Sequence, residues 1–167
     1  MDVLIEKDKD IYDLEIFNVI RSAFNQEDEA ILVERIKKES SFYISYVAKV
    51  DNKVVGHIMI SPMLLDDKEV VLALAPVSVL EEYSEHGIGA MLIKKALSDA
   101  SQVEDYLFIT VLGSDHYYNR FGFEAYDSKV FEIPFDIDER FFQILETQKG
   151  NLEGLSGSLT YPEYFNL

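Results

Sequence analysis

The chain has 167 residues and no cysteine, which suits one domain over residues 1–167 and excludes disulfide frameworks, thiol catalysis and Cys-based metal sites. Its 15 basic and 31 acidic residues leave a net charge of −16, which repels phosphate backbones and argues against nucleic acid as a partner. No apolar run approaches the roughly 20 residues of a membrane span, and MDVLIEKDKD is charged too early for a signal peptide, so a cytoplasmic, membrane-free protein is expected.

Residues 2–6 alternate weakly and predict a first strand. From Asp10 to Phe24 the apolar residues Ile11, Leu14, Phe17, Ile20 and Phe24 recur every three or four positions, the mark of an amphipathic helix. Asn25 is placed to cap a second helix, with Glu27 and Asp28 in its first turn and Ala30 to Lys38 as its body. The period then changes. Phe42–Val50 and Val54–Leu64 are rich in β-branched and aromatic residues, and Asp51-Asn52-Lys53 joins them as a hairpin.

Glu69–Leu80 predicts a third strand, with Pro76 inside it. Gly87–Ala100 predicts a helix, and Tyr106–Leu112 an apolar strand parallel to the one before it. Beyond come a short helical stretch from Asp115 to Phe121, a strand near Phe123, an irregular loop after Phe131, a strand over Phe141–Thr147 and a short closing strand at Ser158–Tyr161. The order predicts a mixed α/β sheet.

Three features carry chemistry. Gly87-Ile88-Gly89 opens a helix just after a strand. Glycine lets backbone N–H groups approach a ligand, and the helix N-terminus favours an anion such as a pyrophosphate. A tight turn alone would use the same glycines. Pro76 cannot take full part in a central ladder, so it predicts a bulge or a splay. A splay would leave Val77, Ser78 and Val79 free to pair with an amide-bearing ligand such as pantetheine; an edge-strand proline is the other reading. The third feature, Val111 to Phe123, follows the second parallel strand, where ligands of open α/β sheets sit.

These residues carry a resemblance. Ser84-Glu85-His86-Gly87-Ile88-Gly89 is similar to Gln/Arg-x-x-Gly-x-Gly/Ala, and Tyr118-Asn119-Arg120-Phe121-Gly122-Phe123 to Tyr-x-x-x-Gly-Phe. With one helix and one strand between the two motifs, the chain resembles the GNAT superfamily of acyl-CoA-dependent N-acetyltransferases, in a small bacterial branch. The resemblance implies a GNAT-like fold: a mostly antiparallel sheet with a splayed parallel pair, flanked by helices. It implies acetyl-CoA as co-substrate, held by Val77, Ser78, Val79, Ser84, Glu85, His86, Gly87, Ile88, Gly89 and Ala90, with no metal. It implies direct transfer to a primary amine, a backbone N–H near Val79 facing the developing oxyanion, and Tyr118 as the acid that protonates the departing thiolate.

One departure stands out. Ser84 occupies the place of a long Gln or Arg side chain, and His86 is a second donor at this helix start unless it is a plain turn residue. The strand VVLALAPVSV offers no ionisable base. Glu29 is a candidate because the second helix borders the acceptor site in the family; His116 is another, against an exposed helix cap. The charge of −16 favours cationic acceptors. A homodimer is compatible with the sequence. A second reading, an acyl-CoA-binding module without turnover, is favoured by Ser84 and the missing base and opposed by Tyr118. A dinucleotide-binding oxidoreductase is a poor reading, because the third glycine of that fingerprint is missing.

Overall fold

The structure is a computed structural model and describes residues 1–166. A nine-stranded sheet forms its centre. β1 (Leu4–Lys7) is followed by α1 (Asp13–Phe24) and α2 (Asp28–Glu39), then by β2 (Ile44–Val50), β3 (Lys53–Leu65) and β4 (Lys68–Val79). α3 (Ile88–Ala100) leads to β5 (Phe108–Leu112), and α4 (Asp115–Tyr118) to the two-residue β6 (Glu124–Ala125) and β7 (Phe131–Glu132). β8 (Phe142–Glu146) and β9 (Gly157–Thr160) complete it. The main strand order is β1-β2-β3-β4-β5-β8-β6; β9 pairs with the far end of β3 and with β7. Neighbours along the main order run antiparallel except β4 and β5, the expected parallel pair. Among the described residues no helix is long and apolar enough to cross a membrane.

Local chemistry sets these elements. α1 buries Ile16, Val19 and Ile20, and α2 buries Ala30, Val33 and Ile36, each on one face. Asn25 does not cap α2. It closes α1 in the left-handed conformation (φ 55°), which asparagine tolerates, and Glu27 stands at the start of α2 without a side-chain cap. Both long hairpins turn on residue pairs with positive φ: Asp51 and Asn52, then Asp66 and Asp67. That is the primed-turn geometry whose twist matches the strands.

The two faces of the sheet have different covers. α3 packs where Tyr46 and Gly56 point: the Tyr46 hydroxyl donates to Asp99 of α3, and a Cβ at Gly56 would lie 3.1 Å from Leu92 Cδ1. The opposite face, carrying Ser45 and His57, lies under α1 and α2. There Lys37 Nζ of α2 pairs with Asp8 Oδ2 at 2.8 Å, and the same oxygen accepts from Ser45 Oγ at 2.8 Å. Ser45 Oγ is in turn 2.8 Å from His57 Nε2. The single Ser45 proton points to Asp8, so His57 donates from Nε2 and its Nδ1 is left as a buried, unpartnered acceptor. Burial, reinforced by the charge of Lys37, holds the imidazole down at about 3, so it is neutral at ordinary pH.

Candidate active site

The wedge between β4 and β5 begins at a point the register defines. The two strands pair at Val71–Phe108, Leu72–Ile109 and Ala73–Thr110, and there the parallel ladder stops. β4 continues to Val79 and β5 to Leu112 without pairing to each other. On the other side of β4, Ile58 opposes Val77 while Ile60 opposes Leu74, so Ala75 and Pro76 together face Met59 alone. This is a bulge at the proline, and it coincides with the splay: the sequence expectation of a bulge or a splay is met by both at once.

The ladder to β3 decides which backbone groups face the wedge. Leu80 N–H donates to Val55 O at 2.9 Å, so Leu80 and Val55 are a hydrogen-bonded pair. Antiparallel pairing alternates, which makes Ser78 and His57 the next such pair. Val77 and Val79 therefore turn their N–H and C=O groups away from β3 and toward the wedge. Ser78 does not: its backbone belongs to the β3 ladder, and its side chain stands on the α1 face, where Oγ is buried without a partner. The expectation that all three residues offer free backbone groups is corrected on this point, because strand alternation turns every second amide the other way.

A cleft of about 420 Å³ continues from the end of β4. Val79, Tyr83, Ser84, Glu85, Gly87, Ile88, Gly89 and Ala90 line it on one side, Tyr117 and Arg120 on the other. Gly87 precedes α3 with φ 76°, and Glu85 also adopts positive φ (65°), which is uncommon for a residue with a side chain. α3 starts with no side-chain cap, so its first N–H groups are free to bind an anion. Gly89 is where space matters: a Cβ there would lie 3.1 Å from the Tyr117 hydroxyl. Ser84 does not direct its hydroxyl at a ligand, because Oγ donates to the Glu81 carbonyl at 2.7 Å. His86 is exposed and lies outside the lining residues.

Tyr118 closes the opposite side. It ends α4, which is separated from β5 by two residues, and it is only 8% exposed. Its ring meets Tyr117 and Phe123 edge to face, with centroids 5.0 and 5.9 Å away. Its hydroxyl makes no hydrogen bond to any described residue and is not among the fully enclosed unpartnered polar atoms, which leaves its proton free to give. Burial, with Tyr117 adding to it, pushes the phenol up to about 12. Glu29 stands in the first turn of α2, half-buried, both carboxylate oxygens accepting from Gln26 Nε2 at 2.9 and 3.0 Å. His116 is exposed on α4. Arg120 lines the cleft without being among the residues expected there from the sequence. Arg120 lies inside the same Tyr-to-Phe motif and is a cation in an acidic chain, which was its available signal.

The Acetyltransferase (GNAT) family matches residues 9–123, more than half of the chain. The chain belongs to the GNAT acetyltransferase family. Among individual GNAT relatives, the N-acetyltransferase YhbS of Escherichia coli K12 is 27% identical over 150 residues, covering 89% of each chain. YjhQ from the same organism is 30% identical over 131 residues, 75% of this chain and 72% of the relative. Among solved structures, YhbS of Escherichia coli in complex with CoA superposes with a TM-score of 0.90 at 27% identity, over 99% of this chain and 92% of that one. A GNAT acetyltransferase from Brucella melitensis in complex with acetyl-CoA gives 0.82 at 28% identity, over 99% of both chains. The mixed sheet with its splayed β4–β5 pair is thus the GNAT arrangement in this chain.

Proposed function

We propose that this protein transfers the acetyl group of acetyl-CoA to a primary amine, with Tyr118 as general acid. The observation that carries the reading is the meeting of three parts at one end of the sheet: the wedge after Ala73 and Thr110, the glycine-turn cleft, and the largely buried Tyr118 ring, whose hydroxyl bonds to no described residue. CoA in the YhbS structure and acetyl-CoA in the Brucella structure support the choice of co-substrate.

The residues present fit such a ligand. Val77 and Val79 offer the amide pattern that an extended amide-bearing chain needs. The first N–H groups of α3 and the bare Gly89 accept a diphosphate that a side chain would exclude. Acetyl-CoA supplies an activated acyl group, whose carbonyl a nitrogen nucleophile attacks directly. The N–H of Val79 faces the wedge and stabilises negative charge developing on that oxygen. Tyr118, protonated throughout the neutral range, donates its proton to the leaving sulfur. For the proton lost by the amine, Glu29 is the candidate carboxylate. A net charge of −16 draws a cationic acceptor such as a polyamine or a lysine-like amine.

The test measures CoA release from acetyl-CoA with a panel of mono-, di- and polyamines. Release that saturates with one cationic class is expected. Thermal stabilisation by CoA with no release from any amine would replace this reading with that of an acyl-CoA-binding module.

A further inference from the structure

We propose that Arg120 is the cation that binds the diphosphate of CoA, in place of the long side chain that Ser84 lacks, and that the Tyr117 ring positions it. The inference rests on the acetyl-CoA reading above and deepens it to a residue that sets selectivity for phosphorylated donors.

Four observations converge on Arg120. First, it is the one cationic side chain among the described residues lining the cleft, and it stands across from Gly87–Ala90. Second, it is exposed and, among the described residues, no carboxylate lies within ion-pair distance of it, although acidic residues outnumber basic ones by 31 to 15. A guanidinium left unpaired in such a chain is available to an anion. Third, its guanidinium carbon stands 4.6 Å from the centroid of the Tyr117 ring, a cation–π stack that limits where the fork can go. Fourth, Tyr117 itself reaches the glycine turn, because its hydroxyl lies 3.1 Å from where a Gly89 Cβ would be. The ring thus fixes Arg120 relative to the α3 N-terminus. The anion is held between backbone N–H groups on one side and a planar, permanently charged fork on the other.

Ser84 makes this division of labour necessary. Its hydroxyl is committed to the Glu81 carbonyl, and Glu81, Glu82 and Glu85 place three exposed carboxylates around the turn. Neutral amides alone would face that field. A charge-assisted contact from Arg120 offsets it.

Titration calorimetry tests the proposal with CoA, 3′-dephospho-CoA and pantetheine. The proteins are the wild type, Arg120→Gln, Arg120→Lys, Tyr117→Phe, Tyr117→Leu and, as a charge control, Lys53→Gln. Lys53 lies outside the lining residues, over the Tyr83 ring. Arg120→Gln is expected to weaken CoA and 3′-dephospho-CoA alike, by about 10- to 100-fold, the usual worth of a charged hydrogen bond. Pantetheine binding stays as in the wild type. Arg120→Lys recovers part of the loss, Tyr117→Phe binds normally, Tyr117→Leu behaves like Arg120→Gln, and Lys53→Gln changes affinity less than threefold. Arg120 is exposed, so the unliganded melting temperature stays unchanged and reports a folded protein. Unchanged CoA affinity in Arg120→Gln overturns the proposal. So does a loss confined to CoA, which would put Arg120 on the 3′-phosphate, and so does an equal loss in Lys53→Gln, which would mean net charge alone. A wild type that binds none of the three ligands overturns the acetyl-CoA reading itself.

Discussion

Gly113 leaves room for Tyr118 and for nothing else: a Cβ at position 113 would overlap Tyr118 Cε2. The ring sits against the backbone that ends β5, so the position of the proposed acid is set by the absence of one methyl group. Gly113→Ala is expected to push the Tyr118 ring off its seat against Phe123. Overpacking of this kind costs about 1–3 kcal/mol. Turnover should fall at least about tenfold, as small displacements of a reacting group do. Combining Gly113→Ala with Tyr118→Phe should lower turnover little beyond Tyr118→Phe alone, because both act through one hydroxyl. Additive losses would mean that Gly113 serves something other than Tyr118.

Tyr118→Phe keeps the ring and its edge-to-face contacts and removes the one proton the side chain can give. Turnover should fall by about 10²–10⁴. CoA affinity and the melting temperature should hardly change, since no hydrogen bond to a described residue is lost. With the phenol at about 12, ionisation of Tyr118 cannot shape the wild-type profile below about pH 11. An alkaline limb centred near pH 9 or 10 that vanishes in the variant would contradict this burial. Near-normal turnover in Tyr118→Phe would leave the residue as a wall of the wedge.

The parts of this fold visible in the sequence are those where period and turn chemistry agree. The Asp51-Asn52 turn and the apolar β4 and β5 flanking a glycine-opened helix appear at the expected places. α1 is a helix as its period predicts, but the face it buries is Ile16, Val19 and Ile20, while Ile11, Leu14 and Phe24 of the expected stripe are exposed, because the side that meets the sheet is set by packing and not by the period alone. Pro76 marked the bulge because a missing N–H is a backbone fact that no packing overrides. Asn25 was misread because asparagine suits both a helix start and a left-handed helix end, and only tertiary packing chooses. β7, at Phe131–Glu132, is too short to show a period and exists because β9 pairs with it. The free amides of Val77 and Val79 were legible, but the turning of Ser78 into the β3 ladder needed the register. Arg120 was missed for another reason: its role depends on where Tyr117 stands relative to Gly89, a distance that no spacing in the chain reports.

Ser84→Arg and Gly89→Asp act on the same cleft in opposite directions. An arginine at 84 adds a second charged donor beside the free N–H groups of α3, so CoA should bind about tenfold more tightly by calorimetry. An aspartate at 89 brings both a Cβ into the space under the Tyr117 hydroxyl and a negative charge to the helix start. It should abolish the rise in melting temperature that millimolar CoA gives the wild type. Ser84→Arg binding no better would mean that residue 84 points away from the phosphates in the bound state.

Glu29 is tested by its charge alone. Glu29→Gln preserves the length of the side chain and its place beside Gln26 on the surface of α2. If the carboxylate accepts the amine proton, the neutral-pH rate should fall by about 10²-fold or more. The loss should shrink as pH rises toward the acceptor's own pKa, where free amine is already present. A uniform decrease across pH, or none, would release Glu29 from that role.

His57 gives stability a pH dependence whose sign can be worked out. In the folded chain the imidazole is fully enclosed and held at about 3, from an ordinary value of 6.5, first by burial and then by the charge of Lys37. The unfolded chain binds a proton there at pH 5 and the folded chain does not. Stability is therefore complete above about pH 6.5 and declines as pH falls from 6.5 toward 3. Between pH 7 and pH 5 the loss from this one group is about 2 kcal/mol. Urea unfolding at pH 7, 6 and 5 measures it, with His57→Gln as the comparison, because the surface carboxylates contribute to both proteins alike. The variant should be less stable at pH 7, having lost the Nε2 hydrogen bond to Ser45, yet lose less on acidification. The two curves should converge as pH falls. Curves that stay parallel from pH 7 to pH 5 would mean that His57 takes up its proton without unfolding the chain, and that the ring is open to water in a way its enclosure does not allow.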